Sequence, residues 1–264
     1  MGTRIITGIV ALCMVAFFLT FRGWAADLML IAFLLVAQWE VLTALKSKYP
    51  KIGRWPVYIF GILLLPAFLW KGLTGAVILL SACLVAQMTC ALFEGRSVDN
   101  IIAGSFTLLY PSFPFAFLIA LNHWPDYWVG LYGLLIAVAG SSICDIGAYF
   151  TGTFIGKHKL CPEISPKKTV EGAVGGFVWN LIFCMGVGYF AQGAGIPLWH
   201  FAILAVLSSL AGELGDLAAS QIKRFCGIKD YGKVFPGHGG VMDRFDGIVF
   251  NAVAVFGYFT LFLL

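Results

Sequence analysis

Gly72-Leu73-Thr74-Gly75-Ala76-Val77-Ile78-Leu79-Leu80-Ser81-Ala82-Cys83-Leu84-Val85-Ala86-Gln87-Met88-Thr89-Cys90-Ala91-Leu92-Phe93 contains no charged side chain and is bounded by Lys71 and Glu94. At about 1.5 Å per residue it makes a helix of roughly 33 Å, enough to cross a hydrocarbon core about 30 Å thick. It does not alternate with period two, which excludes a transmembrane β-barrel. Working outward, charges punctuate the chain into comparable runs at 5–21, 28–45, 55–70, 101–121, 127–144, 170–191, 199–220 and 247–264. Of the 264 residues, 60% are hydrophobic and 11% charged, where soluble domains carry about 25% charge. The expected fold class is all-α: a polytopic integral membrane protein of about nine transmembrane helices, with polar cytoplasmic loops forming the site.

Nine spans with an internal N-terminus place all but Arg22 and Lys71 of the 17 Lys and Arg on one side of the membrane. That asymmetry sets the orientation, with the active-site loops cytoplasmic. It also accounts for the net charge of +4, so nucleic acid is not an expected partner. Trp24, Trp55, Trp70, Trp124, Trp128 and Trp199 fall near span ends, as an aromatic belt requires. Arg4 and the apolar stretch from Ile5 to Phe21 resemble a signal sequence but exceed its usual hydrophobic length, so a retained first span is expected. The seven cysteines form no CxxC pair, and neither disulfide nor zinc is expected.

Two internal segments, 145–169 and 221–246, are too polar and too long to be turns. Leading into the second, Glu213, Asp216, Ser220, Lys223 and Arg224 share about a third of a helical circumference. Acids inside a span are costly and normally face a cavity or a partner. Asp243 and Asp246, at i and i+3, share a face near the start of the last span. With Asp216 they make an oxygen-rich set suited to Mg²⁺, which takes one or two protein carboxylates and completes its shell with water and phosphate. Pro236-Gly237-His238-Gly239-Gly240 reads as a turn with backbone N–H groups open to an anion. In the first segment, Ser165-Pro166 reads as a helix start, placing Lys167 and Lys168 in a first turn where bound phosphate would offset their charge. Gly172 and Gly176 read as a close helix-packing motif, and Glu40 as an interfacial carboxylate paired with Lys46.

From Ser220 to Asp246 the chain runs Ser-x-Ile-Lys-Arg, four residues, Lys-Asp-x-Gly, two residues, Phe-Pro-x-His-Gly-Gly-Val-x-Asp-Arg-Phe-Asp. This resembles the signature of the phosphatidate cytidylyltransferase, or CDP-diacylglycerol synthase, family. The segment with Gly147-Ala148-Tyr149, Gly156-Lys157-His158-Lys159-Leu160 and Ser165-Pro166-Lys167-Lys168-Thr169 is similar to a second recurring block of that family. Departures at Ala219, Tyr231 and Gly247 remove no metal ligand. The resemblance implies a single membrane-embedded domain, 1–264, made of an N-terminal helical bundle (1–144) and a catalytic part (145–264). It implies a reaction of CTP with phosphatidic acid giving CDP-diacylglycerol and pyrophosphate, dependent on Mg²⁺, with a second cation left open.

By the same resemblance Asp216, Asp243 and Asp246 are the metal-site residues, acting with Lys223 in catalysis. Ser165, Lys167, Lys168, Thr169, Ser220, Arg224, Lys229, Asp230, His238, Gly239, Gly240 and Arg244 are expected to meet the substrates. The lipid bilayer of the plasma membrane is the expected location, and a homodimer is the assembly left open. Two other readings compete: a lipid-linked phosphotransferase such as a CTP-dependent prenol kinase, and an ion-coupled transporter suggested by the acids within a span. The second is disfavoured by the lack of related halves.

Overall fold

Lipid cannot hydrogen-bond backbone N–H or C=O groups, so apolar runs fold as helices that pair these groups internally. The computed structural model describes residues 20–263 apart from 96, 236 and 238. Among these, seven helical stretches are long and apolar enough to span a membrane. The elements are α1 (Trp24–Lys46), α2 (Trp55–Glu94), α3 (Val98–Thr107), a π-helical turn (Leu108–Ser112), α4 (Phe115–Asn122), α5 (Tyr127–Leu135) and a second π-helical turn (Ile136–Gly140). These are followed by α6 (Ser141–Ile155), β1 (Lys159–Cys161), β2 (Ser165–Thr169), α7 (Val170–Phe190), a 3₁₀ turn (Ala191–Ala194), α8 (Leu198–Phe225) and α9 (Met242–Phe262).

The all-α membrane class holds, while the count of nine spans is not established. Most of the first expected span, 5–21, lies outside the described residues. The spans expected at 55–70 and 72–93 form one 40-residue element, α2, broken at Lys71 and Gly72, where φ at Gly72 is +57°. The break is a reversal. A Cβ on Gly75 would collide with the carbonyl oxygen of Ala67, although eight residues of straight helix separate by about 12 Å. The Gln87 amide likewise donates to Gly53 O, 34 positions away.

Two compact units emerge. One holds the described residues up to Ala120 together with Phe225–Arg244, and the other holds Leu121–Arg224 and Phe245–Leu264. In the first, Gln38 of α1 donates to Val57 O of α2 and to Ser112 Oγ, both at 3.0 Å, joining three elements through one buried amide. In the second, the Asn180 amide of α7 donates to Ser208 and Ser209 of α8, and Asn251 of α9 donates to the carbonyls of Ile136 and Ala137 in the π-helical turn. Such polar contacts tie membrane helices together where the hydrophobic effect does not distinguish helix from lipid.

Tryptophans 24, 55, 70, 128 and 199 are exposed at or near helix ends, but Trp124 is not part of a belt. It is buried, edge-on to Phe256 and Phe259, because packing on α9 removes its ring from the surface. Gly172 and Gly176 do serve close packing: a Cβ would lie 2.9 Å from Ala148 O at the first and 2.6 Å from Cys144 O at the second. Gly176→Leu is therefore expected to pry α7 from α6 and to cost about 1–3 kcal/mol, read as a lower Tm in detergent. An unchanged Tm would show that the two helices do not need this approach.

Candidate active site

The helix start expected at Ser165-Pro166 is corrected. Proline disfavours helical backbone in the residue before it and brings no N–H, and Ser165–Thr169 pairs antiparallel with β1, Lys159 opposite Thr169 and Cys161 opposite Ser165. The helix begins one residue after the strand, with the Thr169 hydroxyl accepting from Gly172 N at 3.1 Å as its N-cap. Lys167 and Lys168 thus stand on a strand, and the helix-dipole argument for a phosphate cradle falls away. Lys167 is exposed, whereas Lys168 turns inward.

The Lys168 ammonium lies 2.8 Å from Glu213 Oε1 and 2.6 Å from Asp216 Oδ2, two acids one turn apart on α8. Burial pushes the Lys168 pKa down, but the neighbouring Asp216 and then Glu213 outweigh it, and the net displacement is upward. Asp246, buried on α9, is within hydrogen-bonding reach of Asp216. Its Oδ1 also accepts from Gly247 N at 2.8 Å. Gly215 and Gly247 permit the approach of α8 and α9: a Cβ on Gly215 would lie 2.5 Å from Asp246 O, and one on Gly247 would lie 3.0 Å from Gly212 O. Lys223, buried about two turns past Asp216, lies within electrostatic reach of both carboxylates. Asp145 of α6 lies within electrostatic reach of Asp246. It carried no role in the sequence reading, because one acid at the end of an apolar run has no local sign of its partners.

The other expected residues are distributed as follows. Ser220 is buried on α8, while Arg224 is exposed and its Nε donates to Ile164 O at 3.4 Å, steadying the β1–β2 turn. Lys229, Asp230 and Arg244 are exposed; His238 lies outside the described residues. Asp243 belongs to the first unit, where its Oδ2 accepts from Tyr231 N at 2.8 Å and Gly240 N at 2.9 Å. At Gly239, where φ is +86°, a Cβ would press on that carboxylate at 2.8 Å.

Glu40 also requires correction. It is fully buried, and instead of pairing with Lys46 it accepts from Val241 N at 3.0 Å and Met242 N at 2.7 Å, at the start of α9. A helix N-terminus leaves four N–H groups unpaired, and a carboxylate there satisfies both hydrogen bonding and the dipole. The loop does bind anions through its backbone, and the anions are the chain's own carboxylates.

The donor set on α8 and α9 suits a hard divalent cation, being oxygen-only with Asp216 and Asp246 adjacent. Among the described residues no group of three or more His, Cys, Asp or Glu forms a ready-made metal cage. Mg²⁺ takes as few as one or two protein carboxylates, so Asp216 and Asp246 are the residues that could hold it.

Residues 2–262 match the cytidylyltransferase family. The phosphatidate cytidylyltransferase of Bacillus subtilis is 33% identical over 269 aligned positions, covering 100% of this chain and 98% of that protein. The phosphatidate cytidylyltransferases of Staphylococcus saprophyticus and Staphylococcus haemolyticus are 46% and 42% identical over 121 residues, so these matches span about half (46%) of either chain. A fold of membrane-spanning helices, a carboxylate pair with Lys168 bound to it and a match along nearly the whole sequence converge on one assignment: the chain belongs to the cytidylyltransferase family.

Proposed function

We propose that this enzyme transfers the cytidylyl group of CTP to phosphatidic acid, forming CDP-diacylglycerol and releasing pyrophosphate for phospholipid synthesis. The observation that carries this reading is the Asp216–Asp246 pair with Lys168 and Lys223 set around it. A phosphatidate oxygen attacks the α-phosphorus of CTP; the new P–O bond forms as the bond from that phosphorus to the bridging oxygen of pyrophosphate breaks, and the electron pair leaves with pyrophosphate. A phosphate monoester is largely dianionic at neutral pH, so the attack needs positioning more than a strong base. Mg²⁺ held by Asp216 and Asp246 would neutralise charge developing on the leaving group. Lys223 stands beside the same carboxylates as a fixed cation, and Lys168 holds Asp216 in place through its ammonium.

In this reading Arg244, Ser220, Arg224, Lys229 and Lys167 meet the phosphates, Asp243 serves the metal site while its carboxylate secures the loop through Tyr231 and Gly240, and the acyl chains stay in lipid. The multi-pass chain has its N-terminus and polar loops on the cytoplasmic side of the plasma membrane, where CTP is available. Purified protein with phosphatidate micelles and radiolabelled CTP is expected to yield label in chloroform-soluble product, dependent on Mg²⁺. Label appearing only with a prenol acceptor, or not at all, would overturn the reading. A cysteine placed at the exposed Val234 should label from the cytoplasmic face and more slowly when CTP and Mg²⁺ are both present; labelling only from outside would invert the orientation.

A further inference from the structure

Two carboxylates hold the backbone at Tyr231 and at Gly240–Met242. Asp243 draws in the N–H groups of Tyr231 and Gly240, and Glu40, reaching from α1, draws in the next two, Val241 and Met242. Four backbone donors are therefore fixed by two side chains, one of them a candidate site residue. Glycine is required for this arrangement at two motif positions: a Cβ on either Gly232 or Gly240 would occupy the space of the Glu40 carboxylate. Neither has a positive φ, so the absence of a side chain, rather than backbone freedom, is what these positions need. An unpaired carboxylate would be costly at a site that is fully buried, and its sharing by two N–H groups makes the contact directional.

We propose that Glu40 is a positioning residue for the reaction: through Val241 and Met242 it fixes the first turn of α9, and with it the direction of the Asp243 carboxylate. This rests on the cytidylyltransferase reading of Asp243. Glu40 itself touches no substrate in this scheme. Its loss should then leave the CTP-binding cations where they are and lower the fraction of bound complexes in which the Asp243 carboxylate keeps its hold on Tyr231 and Gly240.

The test uses the purified full-length protein and the labelled-CTP assay. Glu40→Gln keeps the shape but replaces one accepting oxygen by an NH₂ that confronts an N–H. Its kcat per folded molecule is expected to fall about 10- to 100-fold, with KM for CTP within about 3-fold of wild type and a lower Tm from the unsatisfied buried donor. Gly232→Ala, which displaces the carboxylate without removing it, should show the same pattern, and Gly232→Ala combined with Glu40→Ala should be no worse than Glu40→Ala alone. Wild-type kcat in Glu40→Gln overturns the proposal. So does a defect confined to yield or Tm with normal kcat per folded molecule, or multiplicative losses in the double variant. A readout independent of turnover separates this from the parent reading: a cysteine at Val234 should label faster in Glu40→Gln than in the parent, and equal rates would overturn the loop-positioning role. An inactive wild type with the faster labelling would defeat the cytidylyltransferase reading and leave the loop contact standing.

Discussion

Asp246→Asn is expected to lower kcat for cytidylyl transfer at least about 10³-fold while the protein inserts and folds normally. The asparagine oxygen can still accept from Gly247 N, so local backbone structure keeps its partner. What disappears is one of two buried carboxyl groups, which in the proposed reaction would together hold a divalent cation. The asparagine NH₂ can still donate to Asp216, so Tm should stay unchanged or rise, because site arrangements that serve catalysis are commonly unfavourable for stability. Asp216→Asn should behave alike in rate, and the double variant should lose little more than either, since both groups serve one site. Turnover within about 10-fold of wild type would remove Asp246 from the chemistry.

The second large effect is expected at Lys168, where stability and rate should fall together. Lys168→Met keeps most of the side-chain volume but leaves Glu213 and Asp216, both at least three-quarters buried, without their shared cation. Breaking a partly buried ion pair from one side should cost about 2–3 kcal/mol, below the range for full burial because the ammonium keeps some solvent contact. The rate should fall about 10²-fold through the displaced Asp216 carboxylate. The pH dependence follows from the upward displacement of the Lys168 pKa. A raised pKa means that the stabilisation is fully present below the unfolded lysine value of about 10.4 and fades only as pH rises through the folded value. Thermal unfolding of wild type and Lys168→Met should therefore differ by a constant amount from neutral pH to about pH 10 and converge above it. Convergence near neutrality would show that the pair is not formed.

The membrane-spanning stretches among the described residues are legible in the sequence because each is an apolar run closed by charges, and lipid makes that pattern decisive. The reversal at Lys71-Gly72 could be placed for the same reason, although its form as one broken helical element could not. Asp216 stands out in the sequence as an acid inside an apolar run, and Asp243 and Asp246 as an i, i+3 pair at the start of the last one. Other parts depended on tertiary contacts without a local trace. Ser165-Pro166 carries a valid helix-start pattern, yet strand pairing with Lys159–Cys161 and the cap at Thr169 prevailed. Glu40 was matched to the nearest lysine because spacing along a helix shows only neighbours, whereas its partners are two backbone N–H groups far along the chain. Asp145 acquires meaning only once α6 is laid beside α9.

The distance along the chain between Glu40 and its partners bears on how the protein is made. Glu40 and Val241 are 201 positions apart. At a synthesis rate of about 5–20 residues per second, roughly 10–40 s pass between the emergence of the carboxylate and that of the N–H groups that receive it. During that interval α1 carries an acid with its final partners still unmade, and the first unit can close only when the segment before α9 arrives. A ribosome stalled or a chain cut before Val241 should therefore leave α1 with its buried carboxylate unmatched, a defect readable as easier labelling or proteolysis of that helix than in the finished protein.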